Sequence, residues 1–268
     1  MVAAGAAPPE SIPLDDRGLL LGDGLFETLL HTRGELVLAE DHARRMQDGA
    51  AVLGLPAPTT AEFIACANAA VDLAGLSGAR AAVRVTLTAG SGGRGLDRPA
   101  ELLPRLFATA APAARLETAA TLAIAETRRN QASPASRLKT LAYLDNVLAR
   151  REAAAAGADE AVMLNTLGEL ACAAAANLFW LQAGVLLTPA PQTGRMDGVM
   201  ARQVIAAAGS QGLTVREVRA GAEALEGVDA IFLTNSLIGV RPGGLVGRAP
   251  PAPSPVVERL AAAVSRFV

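Results

Sequence analysis

Lys139 is the residue best suited to covalent chemistry, because it is the only lysine in the 268-residue chain. It stands in the segment RLKTLAYLDN, between a polar loop and a predicted apolar helix. An amine held against apolar surface has a lowered pKa and becomes a nucleophile toward carbonyl groups. The structural alternative is a surface lysine that packs its stem and keeps its ammonium in water. The local context favours neither interpretation over the other.

A predicted helix from Asp197 to about Ala208 offers a site for a phosphate group. Asp197 is suited to cap the helix, and the first N–H groups after it, from Gly198 to Met200, have no partner within the helix. Such groups bind anions. An aspartate cap would compete for these donors, so we expect Asp197 to point away if a phosphate binds there.

Eight short motifs occur along the chain in a fixed order. They are DRGLLLGDGLFET, HARRM, RLKTLAYLDNVLARREA, GADEAVMLNTLGEL, NLFW, LLTP, GVMARQVI and TNSLIGVRP. Together they resemble the fold-type IV pyridoxal-phosphate enzymes. These are the class IV aminotransferases, which include branched-chain and D-amino-acid aminotransferases and 4-amino-4-deoxychorismate lyase. The resemblance covers almost the whole chain and implies pyridoxal 5′-phosphate as the cofactor.

The resemblance assigns two side chains to the cofactor. Lys139 matches the Schiff-base lysine, whose amine also moves the proton between the substrate α-carbon and the cofactor. Arg45, within HARRM, matches the arginine that binds the phosphate. Arg45 borders the apolar face of its predicted helix, and Gly49 one turn later is expected to leave room for a bound group. The structural alternative is a solvated arginine pair, and we expect Arg44 to be solvated.

Four further residues are assigned to the phosphate by the same resemblance. The family uses the backbone of two residues at a helix start, which match Val199 and Met200. Asn235 and Ser236, after a predicted buried strand, match the remaining contacts. As plain turn residues these two would be unremarkable.

Two positions depart from the family pattern. Cys172 stands where a glutamate, five residues before Asn177, commonly holds the pyridine nitrogen protonated. Strand alternation points Glu169 to the other face, so it does not substitute. Without an acid the cofactor ring is a weaker electron sink, unless Cys172 is only a small buried residue. Ala89 replaces a common substrate-contacting arginine, which leaves Arg94 as the candidate for a substrate carboxylate or as a solvated loop residue.

Three functions are compatible with these residues. The first is 4-amino-4-deoxychorismate lyase, which forms 4-aminobenzoate and pyruvate for folate biosynthesis. GSGGRG, NLFW and TNSLIGVRP resemble that branch most, and Cys172 favours elimination over transamination. The second is an aminotransferase for a branched-chain or D-amino acid. The third is a cofactor-binding protein with degraded catalysis, which the retention of Lys139 and Arg45 argues against.

Periodicity predicts the elements that position these residues. Helical spacing predicts helices at 39–53, 60–74 and 141–151, with Leu144, Val147 and Leu148 on one apolar face. Alternation predicts a strand at 83–88, and 104–115 contains an edge strand followed by a linker. Further strands are predicted at 120–126, 160–165, 169–173, 177–182, 213–218 and 230–234.

The fold class is therefore α+β, and the resemblance makes it a two-domain fold-type IV enzyme of the D-amino-acid aminotransferase type. We expect a small α+β domain over residues 1–112. A larger β-rich domain with flanking helices follows over 113–268 and carries Lys139. The family further implies a homodimer whose site lies between the domains.

Composition excludes several other classes of protein. Apolar residues make up 51% of the chain and aromatic residues 3%, as in an ordered protein with an aliphatic core. A formal charge of −2 with dispersed signs argues against nucleic-acid and anionic-lipid partners and leaves a small-molecule substrate. Cys66 and Cys172 form no disulfide or metal-ligand pattern, and no metal is expected. The first residues lack the pattern of a signal peptide and no membrane span is expected, so cytoplasm is the expected location.

Overall fold

A computed structural model describes residues 11–248 and 253–268. It is a mixed helix and sheet structure, as expected from the sequence, and forms two compact units. The first unit consists of Met1–Ala114 and Leu138–Ala142, and the second of Arg115–Arg137 and Tyr143–Val268. Among the described residues, no helix has both the length and the apolar character needed to cross a membrane.

The first unit is a four-stranded antiparallel sheet with helices packed on one face. Its elements are α1 (Arg17–Leu21), β1 (Gly24–Thr32), β2 (Glu35–Leu36), α2 (Ala39–Leu53), α3 (Thr60–Leu73), β3 (Ala81–Thr88) and β4 (Arg105–Pro112), and the strand order is β2-β1-β3-β4. Leu25 and Leu29 of β1 alternate toward α2 and are almost fully buried. Burial of each such side chain contributes roughly 1.5–3 kcal/mol to folding.

The second unit contains an eight-stranded mixed sheet. Its elements are β5 (Ala120–Ile124), α4 (Leu144–Ala155), β6 (Glu160–Leu164), β7 (Leu170–Ala173), β8 (Asn177–Gln182), β9 (Val185–Pro189), α5 (Val199–Ser210), β10 (Val215–Val218), β11 (Ala230–Asn235), β12 (Gly239–Leu245) and α6 (Pro255–Val264). The strand order is β10-β9-β8-β11-β12-β5-β6-β7. One face is packed with aliphatic side chains and Trp180, and α4 covers a second, alanine-rich cluster.

The segment that contains Lys139 belongs to the first unit, whereas the sequence placed it in the second domain. Backbone hydrogen bonds explain this grouping: Phe26 N donates to Lys139 O at 2.8 Å, and Leu141 N donates to Gly24 O at 3.0 Å. Because Leu141 pairs with β1, it cannot start the following helix, which begins three residues later at Leu144. The predicted boundary at 112–113 stays a prediction.

Helix α4 buries a different face from the one predicted. Its buried residues are Asn146, Ala149 and Ala153. Leu144 and Val147 are instead 67% and 52% exposed. Small side chains let α4 approach the sheet closely, and the larger apolar side chains are left on the outer face of this unit.

Candidate active site

The amine of Lys139 lies above an aromatic ring of β1. Lys139 Nζ is 4.1 Å from the centroid of the Phe26 ring, and Arg84 Cζ of β3 is 3.6 Å from the same centroid. A ring face attracts cations, so the Phe26 ring contributes to holding both side chains. Arg84 was not among the predicted site residues, because it alternates with Val83 and Val85 as an exposed polar residue of β3 and so resembles any solvated strand residue.

Arg45 is held by a buried carboxylate from β1. Arg45 Nε donates to Glu27 Oε1 at 2.8 Å, and Arg45 Nη2 donates to Glu27 Oε2 at 2.6 Å. His42 Nδ1 lies 2.6 Å from Glu27 Oε2, one helical turn before Arg45 on α2. Glu27 lies in the LFET run between Leu25 and Leu29, so alternation turns it toward the core. A carboxylate at such a position needs a cationic partner, which is the signal that sequence reasoning missed.

The charges of this trio follow from burial and hydrogen bonding. Burial alone would raise the pKa of Glu27, but the charge and hydrogen bonds of Arg45, with the bond from His42, hold it well below its ordinary value. Burial lowers the pKa of His42, against the opposing effect of Glu27. At neutral pH Glu27 and Arg45 are therefore ionised, and the neutral His42 ring donates its Nδ1 proton to the carboxylate.

The sequence led us to expect that Gly49 leaves room for a bound group, but it does not. A Cβ at Gly49 would lie 3.0 Å from Leu25 Cδ1, so the missing side chain accommodates the core of the first unit. Arg44 is solvated as expected, since its side chain is 60% exposed and pairs with Asp41 at 3.3 Å.

Helix α5 begins at an N-cap residue that supplies no side-chain hydrogen bond to its first N–H groups. Gly198 is the N-cap residue and makes no side-chain cap bond, so the prediction of Asp197 as the cap is wrong. Asp197 Oδ2 instead lies 3.1 Å from Arg202 Nε, because the ion pair draws the carboxylate along the helix. Val199 and Met200 follow as the first helical residues, and both are buried. The arrangement fits a phosphate group at this helix terminus.

Asn177, the first residue of β8, fixes the approach to this terminus. Its Nδ2 donates to Met196 O at 2.8 Å. Its Oδ1 packs so closely on Gly198 that a Cβ there would lie 1.9 Å from it. Gly198 is therefore required by space, and Asn177 positions the start of α5.

Asn235 ends β11 next to this site, because Thr234 pairs with Asn177 in the sheet. Asn235 Oδ1 accepts from Leu237 N at 2.9 Å and Ile238 N at 3.0 Å, and Nδ2 donates to Ala175 O at 3.0 Å. The side chain thus builds its own turn. A phosphate contact from this turn falls to the backbone and to Ser236.

Cys172 is buried in the alanine-rich cluster and lies opposite Met163 in the β6–β7 pair. Burial raises the pKa of its thiol, with a smaller opposing effect of Arg129. Glu169 is engaged elsewhere: its carboxylate accepts from Arg219 Nε at 2.7 Å and from Asn165 Nδ2 at 2.8 Å. Glu169 therefore does not substitute for an acid at position 172.

Arg94 is exposed in a loop that a second arginine organises. Arg17 of α1 is buried and donates to the carbonyl groups of Gly92, Gly95, Leu96 and Asp97. Asp23 joins this loop to the helix, because it accepts from both Arg17 and Arg98, and the Arg98 bonds lower the pKa of Asp23. Ala89, just before the loop, is fully buried in the core, so an arginine there would need a different local packing.

Comparison with known proteins decides the family. A family model described as amino-transferase class IV matches residues 24–245. The chain belongs to the class IV aminotransferase family. An aminodeoxychorismate lyase of Vibrio harveyi is 28% identical over 240 residues, covering 88% of this chain and 87% of its own length. A proposed branched-chain-amino-acid aminotransferase of Methanocaldococcus jannaschii is 30% identical over 231 residues, covering 85% and 80%.

A crystal structure from Legionella pneumophila, proposed to be a 4-amino-4-deoxychorismate lyase, has a TM-score of 0.90 at 27% identity. It covers 100% of this chain and 98% of its own. The expected fold is thereby confirmed. As a class IV aminotransferase the chain is a pyridoxal-phosphate enzyme, a lyase or an aminotransferase, which confirms the cofactor expected from the motifs.

Proposed function

We propose that this class IV aminotransferase is a 4-amino-4-deoxychorismate lyase, which converts its substrate into 4-aminobenzoate and pyruvate. The observation that carries the proposal is similarity over nearly the whole chain to a lyase at 28% identity. The chemistry of position 172 supports it. A thiol whose pKa is raised by burial does not provide the negative charge that a glutamate would place beside a pyridine nitrogen.

The roles of individual residues are part of the same proposal. Lys139 holds the cofactor aldehyde and then serves as the base. Arg45, the backbone of Val199 and Met200, and the turn at Asn235 and Ser236 bind the phosphate, while Cys172 lies at the pyridine nitrogen. Arg94 binds a substrate carboxylate.

When bound, pyridoxal 5′-phosphate supplies an electron sink for the carbon that bears the substrate amino group. The Lys139 amine removes the proton from this carbon. The bond between the carbocyclic ring of the substrate and its ether oxygen then breaks, and that substrate ring becomes aromatic. The leaving enolpyruvate takes up a proton and becomes pyruvate, so no oxidant or co-substrate is needed. Because aromatisation favours this elimination, a weak sink suffices.

One assay tests the proposal directly. The purified enzyme, loaded with cofactor, is offered 4-amino-4-deoxychorismate, and 4-aminobenzoate and pyruvate are measured. We expect both products in equal amounts, and their absence would contradict the proposal. Lys139→Arg is the matched control, because it keeps the charge but cannot form the imine, and it should yield neither product.

An aminotransferase is the second candidate, because a relative at 30% identity is a proposed aminotransferase. In that case the enzyme should exchange amino groups between branched-chain or D-amino acids and 2-oxoglutarate. The same preparation, given these pairs, distinguishes the two functions. Amino-group exchange without 4-aminobenzoate would establish the second candidate and overturn the first.

We also propose that the enzyme is a cytoplasmic homodimer that serves folate biosynthesis. Apolar side chains that are exposed in each unit support the dimer. On α1 of the first unit Leu19 and Leu20 are 59% and 62% exposed, and on α4 of the second unit Leu144 is 67% exposed. A second copy of the chain would cover them. Light scattering should give twice the mass of the 27.2 kDa chain, and Leu144→Glu should shift the protein toward the monomer.

A further inference from the structure

We infer that Glu27, together with His42, is a positioning group that orients the Arg45 guanidinium toward the cofactor phosphate. The inference rests on the proposed role of Arg45 and adds two residues to it. The motif resemblance assigns neither Glu27 nor His42 to the cofactor. Both act through Arg45.

The geometry is that of a carboxylate clamped along one edge of a guanidinium. Both oxygens of Glu27 are used by Arg45, at 2.8 and 2.6 Å, and the second also accepts from His42 at 2.6 Å. The side chains of Glu27 and His42 are 1% and 0% exposed, and that of Arg45 is 14% exposed. The fixed partners are thus inside the core, and only Arg45 reaches its edge.

Two of the guanidinium nitrogens of Arg45, Nε and Nη2, donate to Glu27. A guanidinium has five N–H groups in one plane, and the carboxylate takes those on the Nε and Nη2 edge. An arginine side chain otherwise loses much of its rotamer freedom when it is fixed by a ligand. Since Glu27 fixes the plane before any ligand arrives, less of that freedom remains to be lost when the phosphate binds.

Two physical effects oppose each other at this site and can be separated. Glu27 neutralises the charge of Arg45, which lowers its attraction for a phosphate. It also orients the guanidinium, which raises the affinity of a correctly placed phosphate. If charge dominated, Glu27→Gln would tighten cofactor binding. We infer that orientation dominates, because a two-bond clamp inside the core fixes the direction of a side chain whose alternative conformations are many.

The test compares pyridoxal 5′-phosphate with pyridoxal, which lacks the phosphate, by equilibrium titration of the apoenzyme. Glu27→Gln should weaken binding of the phosphorylated form by about fivefold or more and leave pyridoxal binding unchanged. Tighter or unchanged binding of the phosphorylated form would overturn the inference. Equal weakening of both forms would also overturn it, since it would show a purely structural role.

A second variant keeps failure of the inference apart from failure of the proposed function. Arg45→Met alone would leave Glu27 as a buried carboxylate without its cation, so the double variant Glu27→Gln with Arg45→Met is used. If the double variant binds the phosphorylated cofactor as the wild type does, the proposed role of Arg45 fails. If the double variant loses affinity while Glu27→Gln does not, Arg45 keeps its role and the inference about Glu27 fails.

Two further variants control for folding. Asp16→Asn removes another fully buried carboxylate of the first unit, which accepts from Arg105 Nη1 at 2.9 Å. It should not change the ratio of the two affinities. If Glu27→Gln does not fold, Glu27→Asp replaces it, because it keeps the charge but withdraws the carboxylate from the guanidinium. Glu27→Asp should weaken only the phosphorylated form, and an unchanged ratio of affinities would overturn the inference.

Discussion

At the residue scale, Lys139 can be tested without ambiguity, because the chain contains no other lysine. The purified enzyme should be yellow, and borohydride should fix the cofactor onto a single peptide that contains Lys139. Its backbone pairs with β1, and its amine lies 4.1 Å from the centroid of the Phe26 ring. Peptide mass spectrometry after reduction gives the readout. An adduct on any other residue, or no uptake of cofactor, would contradict the proposed site.

Cys172 stands where the resemblance leads us to expect a glutamate. Cys172→Glu should raise the proton affinity of the pyridine nitrogen and accelerate any slow transamination, while elimination changes less. Burial of the new carboxylate costs stability, because Cys172 is enclosed by alanine side chains and Met163. Circular dichroism and urea unfolding must therefore precede the rate measurement. A folded, loaded variant with wild-type spectra and rates would show that Cys172 only fills space.

At the element scale, the start of α5 requires a glycine at position 198, because there is no space for a side chain. Gly198→Ala should weaken cofactor affinity and destabilise the protein, because the new Cβ would lie 1.9 Å from Asn177 Oδ1. Gly209 lies in the same helix, and a Cβ there meets nothing within 4 Å. Gly209→Ala is thus the matched control, and it should stabilise the helix by up to about 1 kcal/mol. If the two variants have equal affinity for the cofactor, the steric argument is wrong.

The elements whose predictions were confirmed are those with a clear local sequence pattern. Helix α2 and strand β8 have the predicted bounds, and β3 begins two residues before its predicted start. Helix α2 and β3 follow one period, whereas β8 is a short continuous apolar run. The errors at Asp197, Gly49 and α4 share another cause. Each depended on a particular partner that periodicity does not identify: Arg202 pairs with Asp197, Leu25 lies in another element from Gly49, and Ala149 packs on the sheet. Single-sequence patterns do not contain such partners.

The residues of the candidate site were likewise only partly predictable from the sequence. Motif resemblance selected Lys139, Arg45 and the start of α5, because these residues occur in short runs with a fixed order. Glu27 and His42 were not predicted as site residues, although Glu27 accepts two hydrogen bonds from Arg45. The signal was a charged residue in an otherwise apolar strand. Its partner could be found only after β1 was packed on α2.

At the scale of the whole molecule, the same buried trio couples stability to pH. The pKa of Glu27 is ordinarily 4.5 and is held well below that value in the folded protein. Below about pH 4.5 the unfolded chain therefore takes up a proton that the folded chain does not. The stabilisation is fully present above this pH and is lost as the pH falls toward the folded pKa. This group alone should make the free energy of unfolding fall by up to about 1.4 kcal/mol per pH unit.

Urea unfolding of the apoenzyme at a series of pH values below about 4.5 measures this slope. The double variant Glu27→Gln with Arg45→Met lacks both charges, so its slope should be smaller than that of the wild type by about one proton. Carboxylates elsewhere whose pKa values are lowered, such as Asp23 and Asp159, keep their contributions in both proteins, so that the comparison isolates the trio of Glu27, His42 and Arg45. Equal slopes would mean that Glu27 binds a proton equally in both states. In that case the carboxylate would not be the ionised partner that fixes Arg45 in the folded enzyme.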